Sequence, residues 1–252
     1  HPMFNMFDLT CLRTGIMAGS LCPVELMRQV SDKMHMTITS VYGLTETSPG
    51  MTQTTVEDSF EKRCTTVGRD YPFVEVQVID PETGEICPPG VQGEMCCRGF
   101  NVMKGYYKNE KATAEIIDAN GYLHSGDLGV KDEDGYYRIT GRIKDMIIRG
   151  GENIYPVQIE DFLRKHDAIK DVAVIGLPDA RLGEIAAAII ELKEGESCTE
   201  AEIDEFCIAL PRYKRPRKIF FDKVPRNPTG KIEKPVLREK YCHGRLVEVQ
   251  IT

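Results

Sequence analysis

The segment Phe73-Val-Glu-Val-Gln-Val-Ile79 alternates apolar and polar residues, the period of a strand with one buried face. Turn signals follow it at Asp80-Pro-Glu-Thr-Gly84, Pro88-Pro-Gly90, Asn120-Gly121 and Asp134-Gly135, with short strands such as Gly93–Arg98 and Tyr136–Thr140 between them. Residues 67 to 140 therefore read as antiparallel β-structure, a small barrel or bent sheet. Ahead of it, Ile16-Met17-Ala18 reads as a short buried strand. Ser20 and Pro23 open an amphipathic helix with Val24, Met27, Val30 and Met34 on one face, and Thr37–Tyr42 forms a second strand ending in a polar turn. Strand, helix, strand with polar residues past the strand ends fits an open α/β sheet.

A charged break, Gly141-Arg-Ile-Lys-Asp145, precedes a new pattern. Pro156–His166 reads as a helix carrying Val157, Ile159, Phe162 and Leu163. The apolar runs Asp171–Gly176 and Ile185–Leu192 suit buried strands, and Thr199 with Glu202 forms a capping box ahead of Ile203, Phe206, Cys207 and Leu210. Lys218–Phe221 is a last strand and Pro235–Tyr241 a short helix. The expected fold class is α/β with an antiparallel β region, followed by a small α+β domain. The expected domains are residues 1–143 and 144–252, and no internal repeat occurs.

Composition narrows the classes. The 252 residues are 41% hydrophobic and 28% charged, enough to bury a core and unlike a disordered chain. No run of about 18 apolar residues occurs, so no membrane-spanning helix is expected. Nothing at the start resembles a signal peptide, and a chain opening at His1 reads as cut from something longer. The nine cysteines include no C-x-x-C pair and no zinc-type spacing with the five His; they read as thiols in a reducing cytoplasm. Charge is uneven: residues 1–143 carry seven more acidic than basic side chains, whereas residues 207–252 carry twelve basic and four acidic ones. A basic end suggests an anionic ligand. Pro211–Lys218 holds five basic residues in eight. Without a zinc finger or an aromatic stacking array, an edge that binds nucleotide phosphate or is simply solvated fits it better than nucleic acid.

Taken singly, the chemical motifs each have an ordinary alternative. Tyr42-Gly-Leu-Thr-Glu46 offers a ring, a backbone-exposing Gly, a hydroxyl and a carboxylate suited to Mg²⁺, or a plain strand-ending loop. His124-Ser-Gly-Asp127 presents a carboxylate suited to two ribose hydroxyls, or a turn Asp bonded to its own backbone. Arg149-Gly-Gly-Glu-Asn153 allows close backbone approach to a ligand, or makes a tight turn; neither a Walker loop nor G-x-G-x-x-G occurs in the chain. Asn227-Pro-Thr-Gly-Lys231 holds one ammonium in a stiff turn, aimed at a phosphate or at solvent.

In this order and spacing, Ala18-Gly-Ser20, Tyr42–Glu46, Gly121–Asp127, Gly141–Glu160 and Asn227–Lys234 together resemble the adenylate-forming superfamily, AMP-forming acyl-CoA synthetases above all. The wording around Asp145–His166 is most similar to the medium-chain fatty-acyl-CoA synthetases. The resemblance covers nearly all of the chain.

It implies a two-step reaction: a carboxylate attacks the α-phosphate of Mg-ATP, and the thiol of CoA then displaces AMP. By this resemblance Ala18, Gly19, Ser20, Tyr42 and Gly43 lie by the adenine, and Thr45 bonds the α-phosphate. Glu46 holds Mg²⁺, Asp127 takes the ribose hydroxyls, Ile139 packs near the nucleotide and Arg142 reaches the ribose. Lys144 is the hinge, Gly150 and Gly151 line the path of CoA, and Lys231 is the catalytic lysine of adenylation. The partners implied are a fatty acid or related carboxylate and CoA, in the cytoplasm. The family's Ser/Thr/Gly-rich phosphate loop ending in Lys does not occur in these residues, which predicts a missing N-terminal subdomain, a chain inactive by itself, and an apolar seam favouring homo-oligomers. Two other readings stay open: a non-catalytic nucleotide- or CoA-binding module, and an adenylating enzyme whose acceptor is a carrier protein.

Overall fold

A computed structural model describes residues 3–19, 24–228 and 230–243, the last without its side chain. The chain divides into two compact units, His1–Ile139 and Thr140–Thr252.

The first unit opens with β1 (Thr14–Met17), α1 (Val24–Met34) and β2 (Thr37–Tyr42), with β1 and β2 parallel as a strand–helix–strand unit requires. Strands β3 (Thr52–Gln53) and β4 (Arg69–Asp70) extend the sheet in the order β1-β2-β3-β4, and α2 (Phe60–Thr65) lies between them in sequence, its first turn capped by the Ser59 hydroxyl accepting from Lys62 N. The expectation of a buried first strand fails. As the edge of this sheet, β1 leaves Ile16 63% exposed, and only Met27 of the apolar positions on α1 is fully buried.

A second sheet follows the period-two prediction. Strands β5 (Val74–Ile79), β6 (Gln92–Gly99), β7 (Leu123–Lys131) and β8 (Tyr137–Arg142) pair in that order, with α3 (Glu110–Ile116) between β6 and β7 capped by Asn109. Among the described residues this is an open sheet rather than a closed barrel. Val74, Val76, Val78, Met95, Cys97 and Tyr137 form its core with Met51. Backbone bonds from Val67 N to Tyr137 O and from Tyr137 N to Gly68 O stitch β8 to the segment entering β4, so the two sheets of this unit share one framework.

The second unit is a five-stranded sheet. Its elements are β9 (Ile147–Arg149), β10 (Glu152–Ile154), α4 (Pro156–Leu163), β11 (Ile169–Asp179), β12 (Gly183–Leu192), α5 (Glu200–Phe206), β13 (Lys218–Phe221) and α6 (Lys234–Arg238). The order is β10-β9-β12-β11, with β13 parallel to β12 on its other side. The unbroken apolar runs of β11 and β12 follow from burial on both faces. Val172, Val174, Ala186 and Ala188 face one core with Ile159, Leu163 and Ile203; the alternate residues Ala173, Ile175, Ala187 and Ile189 face another with Val224 and Leu237. Thr199 and Glu202 make the reciprocal capping box that the sequence predicts.

One ion pair sits inside this unit. Lys234 Nζ lies 2.8 Å from Glu160 Oε1, both side chains nearly buried, and the same carboxylate oxygen accepts from Val174 N at 2.8 Å. It therefore ties α4 to β11 and to the start of α6. Because removal of one partner strands the other charge in a dry site, Glu160→Ala should lose about 3–5 kcal/mol of stability in urea titration. A loss below about 1 kcal/mol would show that water reaches the pair.

Candidate nucleotide site

In the first unit the site grows out of strand ends. Strand β2 stops at Tyr42 because the chain turns back on itself: Met51 N donates to Tyr42 O at 2.8 Å, and a Cβ on Gly43 would lie 1.9 Å from Pro49 O. Only glycine fits there. A short 3₁₀ turn, Thr45–Thr47, follows, fastened by Leu44 N donating to the Thr47 hydroxyl at 3.0 Å. The loop is also held from the segment after β6: buried Asn101 donates to Gly50 O, and Met103 N donates to Glu46 O, each at 2.8 Å.

Strand β7 carries the other half. Glu94 pairs with Leu128 but Cys96 pairs with His124, so β7 holds two residues more than β6 across this stretch. That excess is a bulge at Ser125-Gly126-Asp127, with Gly126 at φ +70°. Gly126 N donates to Glu94 Oε1 at 2.8 Å, and Asp127 N donates to the Ser125 hydroxyl oxygen at 3.1 Å. The bulge buries Asp127 and brings its Oδ2 2.9 Å from the Tyr42 hydroxyl, which donates to it across 85 residues of sequence.

Two of the sequence-predicted residues, Tyr42 and Asp127, are therefore in direct contact. Gly43, Thr45 and Glu46 lie on the loop that follows Tyr42; Thr45 is exposed and Glu46 half-buried. Glu46 Oε1 accepts from the Tyr106 hydroxyl at 2.7 Å. That carboxylate raises the Tyr106 phenol above its ordinary value and keeps it a donor. Ile139 packs on the edge of the first unit's core. Ala18 and Gly19 are exposed just past β1, and Ser20 falls outside the described residues.

The other predicted residues belong to the second unit, whose first three residues, Thr140 to Arg142, complete β8. Arg142 ends β8, and Lys144 is exposed in the turn Ile143–Asp145, whose Asp145 receives a 2.7 Å bond from Arg238. Gly150 and Gly151 form the tip of the β9–β10 hairpin at φ +57° and +88°, the geometry of a tight two-residue turn, and Gly150 N donates to Leu182 O. Lys231 is exposed, its backbone N held by Asn227 Oδ1 at 2.9 Å; Thr229 of that turn falls outside the described residues. The arm bearing Lys231 is anchored at its base by Arg226, which pairs with Asp171 at 2.6 Å and bridges to Ile232.

Sequence reading missed Tyr106, Asn101 and Glu94, which position the loop and the bulge. No signal marked Glu94: it falls on the face of β6 opposite the core residues Met95 and Cys97, where the period-two pattern expects a polar residue. A surface depression of about 440 Å³ lined by Thr39, Gln53 and Tyr71 contains none of the predicted residues.

The AMP-binding enzyme family matches residues 1–107, and its C-terminal domain matches residues 158–231. The chain belongs to the AMP-binding enzymes. It is 53% identical over 243 residues to YngI of Bacillus subtilis, whose name assigns it provisionally to the acyl-CoA synthetases. To the mitochondrial medium-chain acyl-CoA ligase ACSF2 of Rattus norvegicus it is 44% identical. Each match covers 95% of this chain but 44% and 40% of those proteins, so the chain spans less than half the length of these relatives. Among solved structures, ATP-bound MatB from Rhodopseudomonas palustris matches at a TM-score of 0.84 and 35% identity, over 90% of this chain and 45% of that one. MenE from Bacillus subtilis with an acyl-adenylate matches at 0.79 and 32%, over 89% and 46%. Among the described residues no helix is long and apolar enough to cross a membrane, and the eight described cysteines are free thiols, Cys22 lying outside that set.

Just past β13, Lys240 and the Tyr241 hydroxyl hold the Asp222 carboxyl down to about 2. A depressed carboxyl stabilises the fold above its unfolded value of 3.8 and stops doing so as pH falls through about 2. With solvent screening allowed for, Asp222→Asn should cost on the order of 1 kcal/mol at pH 7, shrinking toward zero between pH 4 and 2. A deficit in urea titrations that stays constant from pH 7 to 2 would contradict this.

Proposed function

We propose that the protein is an AMP-forming acyl-CoA ligase acting on a fatty acid or related carboxylate, and that these residues supply its ribose-binding carboxylate and its mobile catalytic lysine. The observation that carries the reading is the Tyr42–Asp127 contact, which gathers two motifs far apart in sequence onto one spot. Likeness to ATP-bound and acyl-adenylate-bound enzymes above 30% identity supports it.

The residues fit the chemistry. Asp127 presents a fixed carboxylate, whose oxygens suit two vicinal ribose hydroxyls donating together. One of its oxygens already takes the Tyr42 hydroxyl, so the Tyr42 ring is set in place beside the sugar for a base to pack on. Ala18–Ser20 and Gly43 complete the adenine side, with Thr45 on the α-phosphate and Arg142 reaching the ribose. Mg²⁺ fits at Glu46, a hard oxygen donor steadied by Tyr106. When bound, the ion neutralises phosphate charge.

In the first step a substrate carboxylate oxygen bonds to the α-phosphorus of ATP and pyrophosphate leaves. Lys231 places its ammonium between the carboxylate and phosphate oxygens, where removal of one such contact typically costs about 10²–10³ in rate. In the second step the thiol sulfur of CoA, having lost its proton, bonds to the acyl carbon and AMP leaves. That step needs no such cation, so a swing about Lys144 that withdraws Lys231 and presents Gly150-Gly151 to CoA serves both steps. The family's phosphate loop is not among these residues, and the reading predicts that they bind AMP without forming acyl-CoA by themselves. We further place the protein in the cytoplasm, where its free thiols persist.

Calorimetric titration tests the ribose assignment on the chain itself. Wild type should bind AMP about tenfold or more tightly than 2′,3′-dideoxy-AMP, and Asp127→Ala should bind both equally weakly. Equal affinity of wild type for the two nucleotides removes Asp127 from the ribose. In an active enzyme containing these residues, Lys231→Ala should lose acyl-adenylate formation about 10²–10³-fold yet still convert supplied acyl-adenylate and CoA to thioester. Equal loss of both steps contradicts its role.

A further inference from the structure

The bulge that aims Asp127 also gathers a second set of ligand atoms. Glu94 and Cys96 stand two residues apart on β6 and share one face, while Met95 and Cys97 point into the core on the other. The register places His124 opposite Cys96, with its ring within reach of Glu94. His124 Nδ1 lies 2.8 Å from Glu94 Oε2 and 3.4 Å from Cys96 Sγ, and a sulfur, a nitrogen and a carboxylate oxygen from the three residues fall within 4.8 Å of one another. Glu94 uses its other oxygen for Gly126 N, so Oε2, which meets His124 Nδ1, is the oxygen a metal ion placed between the two would take.

A carboxylate also stands on the outer side of the imidazole. On the far side of the ring, Nε2 faces Asp118 Oδ2 at 3.8 Å, and Asp118 is itself fixed by accepting from Asn120 N and Tyr122 N. Carboxylates in this outer position orient metal-bound imidazoles. Glu94 and Cys96 are buried and His124 is half-exposed, which leaves an approach from one side.

We propose that Glu94, Cys96 and His124 bind one divalent cation of the zinc class, at a site distinct from Glu46. One sulfur, one nitrogen and one oxygen ligand is a borderline-soft set; it suits Zn²⁺ or Cd²⁺ and disfavours Mg²⁺, which prefers oxygen alone. On binding, the Cys96 thiol gives its proton to solvent as the metal–sulfur bond forms. The fourth position is left to water. The bound ion clips β6 to the residue that opens the bulge, adding a cross-strand link beside Glu94–Gly126. This site stands on side-chain geometry alone and does not depend on the ligase reading.

The test is titration of the reduced, metal-stripped chain with Cd²⁺, followed by the ultraviolet cadmium–thiolate absorption and by calorimetry, and with Zn²⁺, followed by thermal unfolding. One equivalent should bind and raise the unfolding temperature. Cys96→Ser should abolish the absorption of that equivalent, His124→Gln should weaken it about tenfold or more, and Cys198→Ser, in the other unit, should change neither. The partly exposed position of His124 keeps the test usable if the buried Cys96 substitution does not fold. Full absorption in Cys96→Ser, or undiminished affinity in folded His124→Gln, overturns the site and leaves the three residues a hydrogen-bonded cluster.

Discussion

The Tyr42 hydroxyl donates to the buried carboxylate of Asp127, and the architecture of the first unit can be read outward from that bond. Burying a carboxylate is costly unless polar partners meet it. Here the partner is a ring carried by the end of a strand in one sheet, and the acid rides on a bulge in the other. The stitch between β8 and the entry to β4 holds the two sheets in the register this meeting needs. Glu94 pins the bulge through Gly126 N, and Asn101 and Met103 pin the opposing loop. Chemistry-bearing side chains sit on short irregular segments, each fixed by a strand beneath it.

The second unit follows a different rule. Its β11–β12 hairpin is buried on both faces and carries none of the predicted site residues; it is a rigid support. The groups assigned to the reaction stand at its margins: the Gly150-Gly151 tip and the Lys231 arm. Both have well-anchored bases and exposed tips, Gly150 through Leu182 O and Lys231 through Asn227 and Arg226. In the proposed reaction, a side chain needed in one step and not in the next would be carried by such an arm.

Local pattern was the legible part of the sequence. Alternation gave β5, the Thr199–Glu202 box gave the start of α5, and the twin apolar runs gave β11 and β12, because each depends on neighbours close in the chain. Burial at an edge was not legible: Ile16 reads as core, but nothing in its own segment reveals that β1 is the outermost strand among the described residues. The bulge was equally hidden. His-Ser-Gly-Asp shows that Gly126 can bend, yet only the pairing of β6 with β7 shows two surplus residues there. Glu94, Asn101 and Tyr106 were passed over because their work lies in contacts with residues 32 to 60 positions distant. Motif order linked Tyr42 with Asp127 through family resemblance; the hydrogen bond between them came from the fold.

Hydrogen–deuterium exchange on the chain with and without AMP tests the central claim most directly, that the β2 loop and the β7 bulge form one nucleotide-binding element. The account predicts that saturating AMP slows exchange at the amides of residues 42–46 and 124–129 together, leaving β11 and β12 unchanged. Binding of AMP with no slowing at either segment, or with slowing at one alone, would contradict it.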